Sequence, residues 1–216
     1  MTVSEQKKIQ KRNALLNSAY ELFTTIGFHK TTIGAIARKA GVAKGTFYLY
    51  FKDKEEIRNA LIVHKSSHLL HAALNALDRE LDQRSTPMPP EDKLVFIADY
   101  LITFLSQDVA LLRFISKNLT WGLFMNSGQY AGEASDVIDF RAFATHALQA
   151  DGVEVSRRME LTIFTIIEMT SSACYSIILE GNPVTLTEYK PFLYSCIRLL
   201  FRNAAAPISS PAPLVG

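Results

Sequence analysis

Lys44, Thr46, Tyr48 and Tyr50 fall within the run Lys44-Gly45-Thr46-Phe47-Tyr48-Leu49-Tyr50. An ammonium, a hydroxyl and two phenols in one short segment suit hydrogen bonding to the phosphates and base edges of nucleic acid rather than bond making. Gly45 has no side chain and lets the backbone come close to a phosphate. Leu49 cannot hydrogen-bond a base edge, so it offers only apolar contact with a thymine methyl or steric selection. The run holds no Arg, Asn or Gln. Bidentate base reading therefore falls to Lys44 alone, and specificity must lean partly on DNA shape. Thr32 and Lys54 each stand at an expected helix start, where a hydroxyl, backbone N–H groups or a long cation can reach phosphate.

Two further groups of residues are candidates for binding. His64, His68 and His71 lie at i, i+4 and i+7, on a helical face that continues Ile57 and Leu61. Spacing of i and i+4 suits a divalent metal, haem ligation through His71 or His146 is a related possibility, and a polar interdomain seam uses the same residues. Neither cysteine is near them in sequence, and the expectation is no metal and no cofactor. The second group is Trp121-Gly122-Leu123-Phe124-Met125-Asn126. There the only Trp stands beside a helix-weakening glycine and an adaptable methionine, a mixture that lines apolar pockets. Trp121, Phe124, Met125, Phe143, Phe164 and Tyr175 are the expected contacts of a small apolar effector, although aromatic stripes at helical spacing also build plain cores. Asn118 and Asn126 are weaker polar candidates. Glu168 interrupts an apolar turn and either selects a cationic ligand or is a paired structural charge, since a buried carboxylate requires a partner. Neither a Gly-rich phosphate loop nor a Ser/His or Cys/His pair in a recognisable frame is present, so an enzyme is not expected.

The elements that must position these residues are helices, because apolar residues recur at helical spacing and no sustained alternation argues for a sheet. Leu15, Leu16, Ala19, Leu22, Phe23 and Ile26 form the inward stripe of a first helix ended by Gly27. Thr31 or Thr32 caps a second, with Ile33, Ile36, Ala37 and Ala40 inward and Gly41 as its stop. A third runs from Lys44 to Tyr50, with Phe47 and Phe51 packed inward. Asp53 and Glu56 have the spacing of a capping box that opens a fourth helix from Lys54 to Leu81. Helices two and three, joined at Gly41, have the dimensions of a helix-turn-helix, whose second helix enters the major groove. Pro87, Pro89 and Pro90 mark a loop. Further helices are expected over 91–106, 108–126 with a break near Gly122, 135–150 capped by Ser135 and stopped by Gly152, 156–180, and from Thr187 to Asn203, with Pro191 in the first turn. The division is residues 1–53 for DNA binding, 54–203 for effector binding and dimerisation, and 204–216 as a disordered tail.

With 216 residues and 48% hydrophobic side chains, the chain can bury a sizeable core, and disordered or collagen-like classes are excluded. Its net charge of +2 is unevenly spread: residues 1–65 carry twelve Lys and Arg against five Asp and Glu, whereas residues 66–216 carry eleven against sixteen. A cationic segment of net +7 joined to a body of net −5 points to double-stranded DNA as the first partner. Cys174 and Cys196 are too few for a disulfide framework and read as buried free thiols in a cytoplasmic protein. The opening MTVSEQKKIQKR lacks the apolar core of an export signal. The apolar stretch 159–179 contains Glu168 and Thr170-Ser171-Ser172, so no membrane span is expected. The final two helices are apolar on several sides, with Ile163, Ile167, Cys174 and Ile178 and then Leu193, Ile197, Leu200 and Phe201. That pattern suggests a homodimer through a four-helix seam.

The run TTIGAIARKAGVAKGTFYLYFKDKEEI, residues 31–57, with the preceding ALLNSAYELFTTIGF, resembles the DNA-binding domain of the TetR family of bacterial transcriptional regulators. Gly27-Phe28, Thr31-Thr32, Ile36-Ala37, Gly41-Val42, Gly45-Thr46-Phe47-Tyr48 and Tyr50-Phe51 occur in the family's order and spacing, over about residues 13–60. The resemblance implies a homodimer that binds a pseudo-palindromic operator and is released from it by a small molecule in the C-terminal domain. By position it implies that Thr32 and Lys54 clamp phosphate, while Gly34, Lys44, Thr46, Tyr48, Leu49 and Tyr50 face the operator. The competing reading is a helical small-molecule or metal- or haem-binding protein without a role on DNA.

Overall fold

The computed structural model describes residues 2–115, 140–148 and 151–206. Among these the chain forms helices and turns without any strand, as expected of an all-α protein. The helices are α1 Val3–Thr25, α2 Ile33–Lys39, α3 Lys44–Phe47, α4 Lys54–Gln83, α5 Pro90–Gln107, α6 Val109–Ile115, α7 Phe140–Leu148, α8 Arg157–Glu180 and α9 Leu186–Ala205. The expected break near Gly122, the cap at Ser135 and most of the tail lie outside the described residues.

Local chemistry accounts for most of the helix ends. The Thr32 hydroxyl accepts the Ala35 N–H at 3.1 Å and caps α2, while Thr31 is buried and donates its hydroxyl to the Gly27 carbonyl at 2.8 Å. Gly27 and Gly41 adopt φ of 87° and 69°, a conformation that side chains disfavour, and so end α1 and α2. Asp53 accepts the Glu56 N–H at 2.8 Å. The return half of the expected box is different, because the Glu56 carboxylate takes the Lys52 N–H. A full capping box of Thr185 with Glu188 starts α9 one residue earlier than expected. As a result Pro191 falls in the second turn of α9 rather than the first.

The chain divides into two compact units. The first holds residues up to Ala72 and those from Thr103 to Phe140. Its core joins Leu15, Leu16, Ala19 and Phe23 of α1 to Ile36, Phe47, Phe51, Ile57, Ala60 and Leu61. Ile26, expected on this face, is instead exposed, because it is the cap residue where α1 gives way to Gly27. Tyr20 packs edge-on against Phe114 at 5.4 Å and under the Lys65 ammonium at 4.4 Å. Burial, helped by the Asp108 charge, raises its phenol pKa.

The second unit holds residues 73–102 and those from Arg141 onward. Here α8 and α9 form an antiparallel hairpin, with Arg158 near the start of one bonded to Asn203 near the end of the other at 2.7 Å. Three carboxylates of α5 meet three cations of α9 in antiparallel order: Glu91 with Arg202 at 3.0 Å, Asp92 with Arg198 at 2.7 Å, and Asp99 with Lys190 at 2.6 Å. Asp99 also accepts the Tyr194 hydroxyl. Burial would raise the Asp99 pKa, but these bonds and the Lys190 charge outweigh it and lower the pKa. Lys93, buried inside the unit, is neutralised by Asp151 at 2.6 Å.

The inward stripe of the hairpin corrects one expectation. Ile163 and Cys174 of α8, and Leu193, Ile197 and Phe201 of α9, are buried within this chain, Ile197 completely. A stripe of 3.6-residue period cannot face both a neighbouring helix and a partner, so the outward faces carry other residues. These include Leu161 and Phe164 on α8 and Phe192 and Leu199 on α9, the last two each 65% exposed. By length and composition α8 is apolar enough to cross a membrane.

Candidate nucleic-acid interface

Helices α2 and α3 meet through a turn closed by the Val42 N–H on the Ala37 carbonyl at 3.0 Å and the Gly41 N–H on the Arg38 carbonyl at 3.1 Å. Phe47 and Phe51, tilted against each other with ring centroids 5.8 Å apart, anchor α3 in the core. Their burial decides which residues face outward. Lys44 and Gly45 are exposed, as are Tyr48 at 52% and Leu49 at 77%, and Thr46 is half-buried. Together they form the polar and apolar edge expected to meet base pairs.

Tyr50 behaves differently. Regular α-helix ends at Phe47, and the chain tightens through the Leu49 N–H on the Thr46 carbonyl at 3.2 Å and the Tyr50 N–H on the Phe47 carbonyl at 3.0 Å. With fewer residues per turn, the chain brings Tyr50 back against the core, where it is half-buried.

Nothing among the described residues explains Gly45. A Cβ built there meets no atom within 4 Å, and its φ is not left-handed. At Gly34 a Cβ would meet only the Thr32 hydroxyl oxygen, at an ordinary 4.0 Å.

Lys54 is placed otherwise than the sequence suggests. Its ammonium donates to the carbonyls of Phe28 at 2.8 Å and Thr31 at 3.0 Å, with His29 at 3.5 Å, and lies 4.3 Å from the Phe28 ring centroid. The Arg58 guanidinium covers the same ring at 4.7 Å. Lys54 thus satisfies carbonyls left open at the α1–α2 turn and ties them to the first turn of α4. This link joins residues more than twenty positions apart, beyond the reach of local pattern.

The remaining candidates do not gather into one site among the described residues. Trp121, Phe124 and Met125, with Asn118 and Asn126, lie outside them. Phe143 is buried in α7, whereas Phe164 lies on the exposed side of α8 and Glu168 and Tyr175 of that helix are outside its buried stripe. Because Glu168 is not buried, it needs no buried partner. His64 is half-buried while His68 and His71 are exposed, so their row drifts off the buried face of Ile57 and Leu61. His146 faces Asp78 at 3.1 Å. Among the described residues no three His, Cys, Asp or Glu side chains converge on a metal position.

Comparison with known proteins places these observations. Residues 15–61 match the family model of bacterial regulatory proteins of the tetR family. The chain is 28% identical over 103 residues to the fatty acid metabolism regulator protein of Bacillus subtilis, covering 48% of this chain and 50% of that one. It is 37% identical over 67 residues to the HTH-type transcriptional regulator BetI of Escherichia coli, covering 31% and 34%. The chain thus spans half or less of the length of these curated relatives. Among solved structures, a TetR transcriptional regulator from Rhodococcus sp. RHA1 superposes with a TM-score of 0.60 at 20% identity, covering 95% of this chain and 100% of that one. Thermus thermophilus FadR, a TetR-family repressor in complex with lauroyl-CoA, superposes with a TM-score of 0.54 at 21% identity, covering 94% and 98%. These likenesses extend the shared fold over nearly the whole chain. Over residues 15–61 the helix-turn-helix domain is thus that of the tetR family of bacterial regulatory proteins.

Proposed function

We propose that the chain is a cytoplasmic, homodimeric transcriptional repressor that binds a pseudo-palindromic operator and is released by a small apolar effector. The observation that carries this reading is the outward edge of α3, where Lys44, Gly45, Tyr48 and Leu49 are exposed while Phe47 and Phe51 hold the helix on the core. Thr46, and Thr32 and Gly34 at the start of α2, complete the proposed DNA contacts; Tyr50 and Lys54 support them from behind. Two copies are required because one short recognition helix reads too few base pairs. The outward apolar residues Leu161, Phe164, Phe192 and Leu199 support a dimer through α8 and α9. Buried packing of α8 on α9, and the ion pairs holding α9 to α5, favour an aqueous bundle over a membrane span. For the effector, lauroyl-CoA on Thermus thermophilus FadR and the name of the Bacillus subtilis relative make fatty acyl thioesters the first class to test. Phe143 and the segment of Trp121, Phe124 and Met125 are the proposed contacts.

Binding of the purified chain to duplexes selected from a random pool tests the reading. A salt-dependent, sequence-selective complex that Tyr48→Ala weakens on the selected duplex more than on random DNA supports it. A chain that binds an acyl thioester but no duplex at any salt concentration would instead be a carrier of small molecules.

A further inference from the structure

Leu49 is 77% exposed, the highest value of any large apolar side chain among the described residues. The residues on either side of it explain why. Phe47 and Phe51 are buried, and at about 100° of turn per residue Leu49 stands diametrically opposite the midpoint between them. The spacing that anchors the recognition segment on the core therefore also makes Leu49 its outermost side chain. Gly45, four residues earlier on the same outward side, carries no side chain, and a Cβ placed there meets no atom within 4 Å. Among the described residues, nothing on that turn keeps a surface from closing on Leu49. The Leu49 N–H bonds the Thr46 carbonyl at 3.2 Å, an i to i+3 turn that places the short, half-buried Thr46 side chain on the side of Leu49.

The chemistry of the major groove gives such a side chain one favourable partner. Base edges there present donors and acceptors almost throughout, and their one apolar group is the methyl on C5 of thymine. Pressed on any other edge, Leu49 strips water from a carbonyl, an amino group or a ring nitrogen and returns no hydrogen bond. Against the methyl it buries apolar surface on both partners. The polar contacts fall to its exposed neighbours Lys44 and Tyr48. Cytosine lacks the methyl, whereas 5-methylcytosine carries one at the same ring position.

From this arrangement we propose that Leu49 reads the 5-methyl group of a pyrimidine. It selects thymine at one position of each half-site and prefers 5-methylcytosine to cytosine there. This rests on the reading of α3 as the DNA-reading helix. Burying one methyl corresponds to about fourfold in affinity for a single contact, and to about fifteenfold for the two half-sites of the proposed dimer. Occupancy of a site with cytosine at that position then responds to methylation of the DNA itself.

The test compares the full-length chain with Leu49→Ala on the duplex selected from a random pool. Each thymine is replaced in turn by uracil, which removes the methyl and leaves the base pair and its O4 acceptor in place. At one thymine per half-site wild type should lose about fourfold in affinity, and about fifteenfold when both are replaced, whereas Leu49→Ala should bind the thymine and uracil duplexes equally. When that T·A pair is changed to C·G, methylating the cytosine at C5 should restore about fourfold to wild type and nothing to the variant. Leu49 is so exposed that its truncation removes little packing, and unchanged thermal unfolding verifies that the domain is intact. A wild type indifferent to uracil at every thymine overturns the proposal, as does a uracil effect of equal size in Leu49→Ala, which gives the methyl to another residue. A Leu49→Ala that accepts more bases, with no uracil effect in either protein, also overturns it and assigns Leu49 to steric exclusion. Tyr48→Ala, run in parallel on selected and random duplexes, separates the two readings. If it loses selectivity while the uracil scan is flat, α3 still reads DNA and only the methyl contact is wrong; if the pool yields no preferred duplex, the reading of α3 has failed and the methyl contact falls with it.

Discussion

Lys54 offers a direct measurement of how the recognition unit is held. In Lys54→Met the stem remains, but the bonds to the Phe28 and Thr31 carbonyls, at 2.8 and 3.0 Å, disappear along with the cation over the Phe28 ring. A hydrogen bond from a charged group contributes about 1.5–3 kcal/mol, and a cation over an aromatic face about 0.5–1 kcal/mol where it is partly exposed. These terms are not additive, and water replaces part of them at a half-buried site, so the expected cost is about 2–3 kcal/mol. For a chain of this size that corresponds to roughly 4–12 °C in melting temperature. Thermal and urea unfolding followed by circular dichroism read the cost directly. If Lys54 were instead a phosphate clamp, the variant would keep its stability and flatten the salt slope of DNA binding by about 0.9 per chain. A variant that melts like wild type and shows that flatter slope would refute the structural role.

Gly45→Ala should leave the fold intact or add up to about 1 kcal/mol, since alanine is the better helix former and a Cβ there meets no described atom; its affinity for the selected duplex should nevertheless fall in a binding titration, because the methyl then stands where the DNA backbone comes close. Leu199→Glu should weaken self-association in sedimentation while leaving the chain folded, whereas Ile197→Glu, with its side chain wholly inside the hairpin, should unfold it. For Asp99 the folded-state pKa is lower than the ordinary 3.8, so its stabilisation is present above that value and fades as pH falls through the folded pKa. Asp99→Asn should therefore be less stable than wild type in urea at neutral pH, with the difference shrinking below about pH 4.

Much of the architecture is legible in the sequence because local chemistry sets it. Glycines that must adopt positive φ stop α1 and α2, a threonine cap starts α2, and Phe47 and Phe51 announce their burial by spacing alone. What escapes is set by contacts distant in sequence. Glu91, Asp92 and Asp99 pair with Arg202, Arg198 and Lys190 only once α5 and α9 lie antiparallel in a particular register, and no window of the sequence contains both sides. Lys93 in the interior depends likewise on Asp151, 58 residues away. Ile197 illustrates a second limit: an apolar face is visible in the sequence, but whether a neighbouring helix or a second subunit covers it is not. At Lys54 a cation at a helix start reads as free for phosphate until the open carbonyls of the preceding turn claim it.

The central claim, that the outward edge of α3 reads duplex DNA, is tested most directly by equilibrium binding of wild type and Tyr48→Ala to selected and random duplexes over a salt series. The account predicts that both proteins share a similar salt slope on random DNA, where phosphates dominate, and that Tyr48→Ala loses affinity chiefly for the selected duplex, by about 1–3 kcal/mol if the phenol contacts a base edge. Equal affinities of the two proteins for both duplexes at every salt concentration would contradict it.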